Sequence, residues 1–224
     1  MDKISDRTTS VIAALGNRTD ILSKVRIWFK EAYTEIAMGY DFEELETTVN
    51  DLFIPSIDEY TYPATARAIK AVTLIFSDGR TRPIRRRHIR VVENYSNVVK
   101  GPPSIYAPYG PSILVRPLPD IQYESRWRIW EKPLITDPVE NTELKLPADW
   151  LKVLDYTVLE RGHTELLERD KTVEIHQILH GGQDVNTGRR WPGLLKQLST
   201  RRQKEAIDED YAIAPLGARY TNTI

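Results

Sequence analysis

Arginine is the residue type whose spacing is most unusual in this sequence. Six arginines lie between positions 80 and 90, namely Arg80, Arg82, Arg85, Arg86, Arg87 and Arg90. A guanidinium pairs bidentately with phosphate or carboxylate, so the run predicts contact with an anion. Three interpretations stay open: a solvated hairpin, pairing with acidic residues of an adjacent subunit, or contact with DNA. The net charge of −1 argues against a dedicated nucleic-acid-binding protein.

A second basic set lies near the C-terminus, in a segment with few apolar residues. Its basic and apolar members are Arg189, Arg190, Trp191, Leu194, Leu195, Arg201, Arg202, Tyr211 and Tyr220. Apolar anchors beside basic side chains suit docking on an acidic protein surface. A tail that only improves solubility is the alternative interpretation.

Two histidines have the spacing of metal ligands. His176 and His180 are four residues apart on a predicted helix. No motif supplies a third ligand, so we interpret them as part of a solvated helix face near a C-terminus. The sequence has no cysteine and lacks the motifs of serine hydrolases, zinc peptidases and phosphate-binding loops. We therefore predict no catalytic residues, no metal and no cofactor.

An aromatic segment allows two interpretations. Tyr123, Trp127 and Trp130 alternate with Arg126 and Arg128, which could serve to stack nucleic-acid bases. Strand alternation offers a simpler explanation, in which Tyr123 and Trp127 share an inward face and the arginines point outward. We favour the interpretation in which this face is part of the core.

Secondary-structure patterns divide the chain into four segments. Residues 1–45 have the helical period, most clearly in an apolar stripe from Ile21 to Tyr40. Residues 46–140 contain most of the fourteen prolines and a hairpin turn with Asp-Gly at Ser77 to Arg80, followed by a return strand from Ile84 to Val92. Helices are predicted again over 141–182, with Gly162-His163 as a break or bend, and residues 183–224 form an extended tail. The predicted fold is α+β, a helical core with a small inserted antiparallel β module.

Hydropathy gives a first expectation about location. The 224 residues include no run of about eighteen apolar residues, and the N-terminus has no apolar signal-peptide core. We expect a protein that is made in the cytoplasm and does not contact membranes.

The order of the segments, with three short motifs, resembles one protein family. The motifs are Tyr60-Thr61-Tyr62-Pro63 before the first long strand, Trp130-Glu131-Lys132-Pro133 after the β segment, and Leu146-Pro147-Ala148-Asp149-Trp150 at the start of the later helices. Together they resemble the adaptor (head-tail connector) proteins of tailed bacteriophages, over roughly residues 18 to 180. This chain has Tyr62 where an aliphatic residue is common in the family.

The resemblance implies a structural role in the virion. Family members form rings, commonly of twelve copies, that join the portal of the DNA-filled head to tail or neck proteins and extend the DNA channel without sequence-specific binding. By this resemblance residues 183–224 would contact the portal, and the arginine run would meet a tail protein or a neighbouring subunit. A set of acidic residues would be its counterpart on that subunit: Asp41, Glu43, Glu44 and Glu46. A neck or tail-completion protein, and a nucleic-acid-binding protein that uses residues 80–90, remain the alternatives.

Overall fold

The computed structural model describes residues 2–96, 98–183 and 189–200. These residues fall into two compact units. One unit contains Thr34–Leu134, and the other contains the described residues before Thr34 and after Leu134. The α-helices are α1 (Ile4–Ala14), α2 (Leu22–Gly39), α3 (Ile89–Glu93), α4 (Ala148–Glu165) and α5 (Arg169–His180). The strands are β1 (Glu46–Phe53), β2 (Glu59–Thr61), β3 (Ala66–Ile75), β4 (Thr81–Arg86), β5 (Ile105–Tyr109), β6 (Ser112–Arg116), β7 (Tyr123–Glu131), β8 (Gly181–Gln183) and β9 (Arg190–Pro192).

The long helices form where apolar residues recur at the helical period. In α2 the buried side chains include Val25, Phe29, Ala32 and Tyr33, which are three to four residues apart and so share one face. Helix α4 begins one residue after Pro147, where the absence of a backbone N–H costs nothing. The predicted helices in these two regions are confirmed.

A seven-stranded sheet forms most of the Thr34–Leu134 unit. Its strand order is β1-β7-β3-β4-β5-β6-β2, and every neighbouring pair is antiparallel except β4 with β5. Register shifts between β3 and β7 insert extra residues into the ladder, and such bulges increase local bending. The sheet is curled, so its apolar face encloses a core of its own.

The connection between β1 and β2 joins the two edges of the curled sheet. The ring centroids of Phe53, at the end of β1, and Tyr60, in β2, are 4.7 Å apart. The Tyr60 hydroxyl accepts a hydrogen bond from Ile54 N at 2.9 Å, and the carbonyl oxygens of Ile54 and Ile57 each lie 3.0 Å away as acceptors. The buried Tyr60 hydroxyl therefore provides hydrogen-bond partners for backbone groups of the segment that joins β1 to β2, the two edge strands of the sheet.

The predicted helical core with a small β module is wrong. The sheet is large and has its own core, built around side chains such as Trp127, Val72 and Ile113, each of which is fully buried. The prediction failed because β1, with the sequence ETTVNDLF, has only two buried or half-buried apolar residues and therefore no clear alternation. Strands β2 and β5 are three and five residues long, too short for a strong periodic signal, whereas the predicted strand at Ser112 to Arg116 is confirmed as β6.

The hairpin turn between β3 and β4 is confirmed, but the predicted return strand is too long. Gly79 has a φ of 82°, which the Asp-Gly turn provides without a steric penalty. Strand β4 ends at Arg86, and α3 starts at Ile89. The strand ends before Val92 because His88 starts the short helix α3. Nδ1 of His88 accepts a hydrogen bond from Arg90 N at 3.3 Å and so caps this helix.

Glycine has two different roles in the later helices. Gly162 does not break α4. The space above it is filled by Leu15, whose methyl carbons would lie 2.8–2.9 Å from an added Cβ. Gly181, with a φ of 90°, ends α5 as predicted, and the chain then pairs β8 with β9. An added Cβ on Gly181 would meet the Trp191 carbonyl at 2.3 Å, so this close backbone approach requires glycine.

The described part of the C-terminal segment is not an extended tail. Residues 190–192 pair with residues 181–183, and residues 194–200 are helical. Within the described residues, no helix has the length and apolar character needed to cross a membrane.

Candidate functional site

The arginine run lies along β4 and continues into α3. Arg82, Arg85 and Arg86 belong to β4, Arg80 ends the hairpin turn, and Arg90 lies in α3 with Arg87 just before it. The buried neighbour Ile84 shows which side of β4 faces the core of the sheet. Side chains alternate along a strand, so Arg82 and Arg86 lie on the same side of β4 as Ile84, whereas Arg85 lies on the opposite side.

Two of the six arginines have hydrogen-bond partners inside their own unit. Nε of Arg80 donates to the Asp78 carboxylate at 2.6 Å, and hydrogen bonds from Arg80 hold the pKa of that carboxyl below its usual value. Arg82 donates through Nη2 to the carbonyl oxygens of Pro102 and Pro103, both at 2.9 Å. Its guanidinium also lies 5.5 Å from the centre of the Phe76 ring, a cation–π distance. Arg80 therefore supports the turn, and Arg82 links the hairpin to the backbone at Pro102 and Pro103.

The other four arginines, which we call the arginine surface, are Arg85, Arg86, Arg87 and Arg90. All four side chains are exposed. Within the described residues, none of them has an ion pair or a side-chain hydrogen bond. Four positive charges within six positions are therefore left to solvent or to a partner.

Part of the arginine surface is concave. Arg86, Arg87, His88, Ile89 and Pro108 line an open depression with a volume of about 500 Å³. The depression lies where β4 and β5 pair in parallel, with Arg86 opposite Tyr106. An open depression with two guanidinium groups suits a carboxylate or phosphate on a protruding partner better than it suits an enclosed small molecule.

Arg86 also acts on two tyrosines. Burial raises the pKa of Tyr106, and the nearby Arg86 charge partly opposes this rise. The pKa of Tyr62 is raised by burial and opposed by Arg86 in the same way. These opposing effects indicate that the Arg86 charge lies close to both phenols, so the arginine surface borders the aromatic end of the core.

The predicted acidic set divides into two pairs. Asp41 accepts a hydrogen bond from Arg67, which also donates to the Met38 carbonyl at 2.6 Å. Glu46 accepts hydrogen bonds from Lys70 at 2.7 Å and from Arg128 Nε at 2.5 Å. Both carboxylates are therefore neutralised inside their own unit.

Glu43 and Glu44 differ from these two carboxylates. They lie in the short 3-10 turn Glu43–Leu45, and both are exposed. The described residues provide neither of them with an ion-pair partner. Of the four predicted acids, these two keep their charge available for a neighbour.

The predicted portal-docking residues are only partly described. Arg189, Arg190 and Trp191 are exposed, and the last two belong to β9. Leu194 and Leu195 are half-buried in the helical stretch that follows. Arg201, Arg202, Tyr211 and Tyr220 lie outside the described residues.

The aromatic strand forms core rather than a binding surface, as predicted. Tyr123, Ser125, Trp127 and Ile129 are all buried on the inner face of β7. Trp127 Nε1 donates to the Ser125 hydroxyl at 2.8 Å, which in turn donates to the Asp51 carbonyl at 2.9 Å. With its only polar atom satisfied inside the sheet, Trp127 is not available to stack on a base.

Sequence inspection missed the partners that neutralise the acidic set. Arg67, Lys70 and Arg128 are distant in sequence from the acids they contact, and only strand pairing brings them close. No local motif marks such pairs. Strand register could have indicated one of them, because Arg128 pairs with Thr48, two residues from Glu46.

The chain matches no protein-family model, and no curated protein matches it significantly.

Proposed function

We propose that this chain is a structural virion protein of a tailed bacteriophage, an adaptor that forms a ring of about twelve copies beneath the portal. The ring would join the DNA-filled head to the tail and extend the channel through which the DNA passes. Its partners would be neighbouring copies, the portal and tail or neck proteins. The observation that carries the proposal is the arginine surface, together with the order of helical and strand segments that resembles the adaptor family.

The arginine surface differs from several other cations of the described residues, which are ion-paired. Arg161 contacts Glu31 at 2.9 Å, and Lys70 contacts Glu46 at 2.7 Å. Arg85, Arg86, Arg87 and Arg90 have no such partner among the described residues. Clustered like charges repel one another, so an acidic surface on another molecule would stabilise this region when it binds.

Glu43 and Glu44 provide an acidic counterpart on the same chain. A ring requires two unlike surfaces on each subunit, because each subunit contacts its two neighbours head to tail. Two carboxylates and four guanidinium groups that have no ion-pair partner in the described part of the chain meet this requirement in charge. We therefore propose that the arginine surface of one copy faces Glu43 and Glu44 of the next.

A nucleic-acid-binding function rests on the same arginines and is the competing proposal. Two observations weaken it: Tyr123 and Trp127 are buried on the inner face of the aromatic strand, and the net charge is −1. Such a protein would bind DNA as a monomer, with an affinity that falls steeply as salt rises. An adaptor would need only weak, non-specific contact with DNA.

The experiment that tests the proposal is charge reversal at the arginine surface. The variant Arg85→Glu, Arg86→Glu, Arg87→Glu should reduce ring formation, measured by light scattering with portal rings present, by about tenfold or more, because like charges would then face each other. The monomer should keep its circular dichroism spectrum, since all three side chains are exposed. The matched control changes the net charge equally at exposed cations elsewhere: Arg126→Glu, Lys152→Glu and Arg169→Glu.

A charge swap makes the test specific. Adding Glu43→Lys and Glu44→Lys to the reversed variant should restore part of the assembly, because the complementary charges are then exchanged. Rings of normal yield from the reversed variant alone would refute the inter-subunit pairing. Salt-dependent DNA binding by a monomer that ignores portal rings would favour the nucleic-acid proposal instead.

A further inference from the structure

Two histidines and a glutamate from neighbouring helices lie together near the end of α5. His176 and His180 are one turn apart, with ring centroids 4.5 Å from each other. Glu160 of α4 lies against them, with Oε1 at 2.7 Å from Nδ1 of His176. One ligand atom from each of the three side chains lies within 4.8 Å of the other two.

We propose that Glu160, His176 and His180 bind a divalent transition metal of the Zn²⁺ type. Two imidazole nitrogens and one carboxylate oxygen are ligands that suit Zn²⁺, and three protein ligands leave a fourth tetrahedral position for water. The metal would link α4 to α5. This site is separate from the arginine surface and does not depend on the ring.

The geometry requires only small side-chain movements. Tetrahedral ligands at 2.0–2.1 Å from Zn²⁺ are about 3.3 Å from one another. The present separations range from 2.7 Å, between Glu160 and His176, up to 4.8 Å. His176 is 58% exposed, so its ring can rotate without repacking the core. The backbone positions are fixed already by the two helices.

Electrostatics also favours a cation here. His176 and His180 occupy the last two turns of α5, where unpaired carbonyl groups give the helix end a partial negative charge. Glu160 adds a full negative charge. A divalent cation is therefore favoured by the helix end and by the carboxylate together.

A simpler interpretation is that Glu160 and His176 form only an exposed hydrogen bond. This interpretation gives His180 no role and predicts no dependence on metal. His163 illustrates the simple case: it is buried, and its Nδ1 lies 2.5 Å from the Glu168 carboxylate with no second histidine involved. The contribution of His180 therefore separates the two interpretations.

The test is metal titration of the full chain without an affinity tag, since a histidine tag would bind the same ions. Calorimetry with ZnCl₂ should show one equivalent bound per chain, and CoCl₂ should give the visible absorption of a tetrahedral site. Either His180→Ala or Glu160→Gln should weaken Zn²⁺ binding by at least about tenfold, because losing even an outer-shell partner costs that much. The matched control Glu174→Gln removes an exposed carboxylate from the same helix α5 and should bind as wild type does.

Thermal melting supplies a second measurement. Zn²⁺ should raise the Tm of the wild type and of Glu174→Gln, but not that of His180→Ala or Glu160→Gln, because a ligand stabilises only the state that binds it. Melting without metal checks that each variant folds. Absence of stoichiometric Zn²⁺ binding would overturn the proposal, as would unchanged affinity in both His180→Ala and Glu160→Gln.

Discussion

At the residue scale, the charged side chains fall into two groups with different roles. Glu46 is the clearest member of the first group, because Lys70 and Arg128 both donate hydrogen bonds to it. Burial disfavours its charged form, but the two cations outweigh burial and hold the pKa of Glu46 below its usual value. Arg85 and Arg87 belong to the second group, exposed and without partners among the described residues. The first group stabilises the sheet, and the second is available for recognition.

The role of Glu46 predicts a pH-dependent stability. Glu46→Gln keeps the shape of the side chain but removes its charge, so we expect the free energy of unfolding to fall by about 1–2 kcal/mol at pH 7. The folded-state pKa is lowered, so the stabilisation is present above the ordinary value of 4.5 and is lost as pH falls through the folded pKa. Urea unfolding of the wild type and of Glu46→Gln at pH 7 and at about pH 3 measures this pH-dependent difference in stability.

A neighbouring carboxylate provides the control for this prediction. Glu43→Gln changes an exposed acid that has no ion-pair partner in the described structure, so its stability should stay close to wild type at both pH values. If the difference between wild type and Glu46→Gln were the same at both pH values, the assigned role of the ion pairs would be wrong.

At the element scale, the junction of β1 and β2 determines whether the sheet stays curled. Only three residues of β2 pair with β6, so the strand itself contributes few ladder hydrogen bonds. The Tyr60 phenol compensates by bonding to the backbone at Ile54 and packing against Phe53. Burial raises the pKa of Tyr60 to about 12, in agreement with a hydroxyl that stays protonated and donates.

Removing this hydroxyl should loosen the junction. Tyr60→Phe keeps the ring but leaves Ile54 N without its acceptor, so we expect a destabilisation of about 1–3 kcal/mol in urea unfolding. The matched control is Tyr109→Phe, because Tyr109 is 50% exposed and should contribute little. Equal stability of the two variants would show that ring packing alone closes the sheet.

At the scale of the whole molecule, the proposed adaptor role depends on the C-terminal segment. Residues 181–183 and 190–192 form a strand pair, so a truncation at residue 183 would also disrupt folded structure. A chain that ends at Thr200 keeps every described residue and removes Arg201, Arg202, Tyr211 and Tyr220. This truncation therefore separates docking from folding.

We expect the chain truncated after Thr200 to fold normally but to lose portal binding by about tenfold or more in a pull-down, as hot-spot anchors contribute most of an interface's affinity. The full chain serves as the reference, and circular dichroism checks the fold of both. Undiminished binding by the truncated chain would place the portal contact elsewhere.

Elements with local signals could be predicted from the amino-acid sequence. The helical period predicted α2 and α4, the Asp-Gly pair predicted the hairpin, and Gly181 predicted the end of α5, because each depends on backbone preferences within a few residues. The inward face of β7 followed from simple alternation for the same reason.

Strand pairing and helix packing could not be predicted from local signals. The curled sheet arises from pairs such as β1 with β7, whose paired residues are seventy or more positions apart, and the polar sequence of β1 gave no sign of this partner. The same holds for the sites. The arginine run is visible in the sequence, but which acids remain unpaired depended on Arg67, Lys70 and Arg128. The third potential metal ligand, Glu160, likewise meets His176 only because α4 and α5 pack side by side.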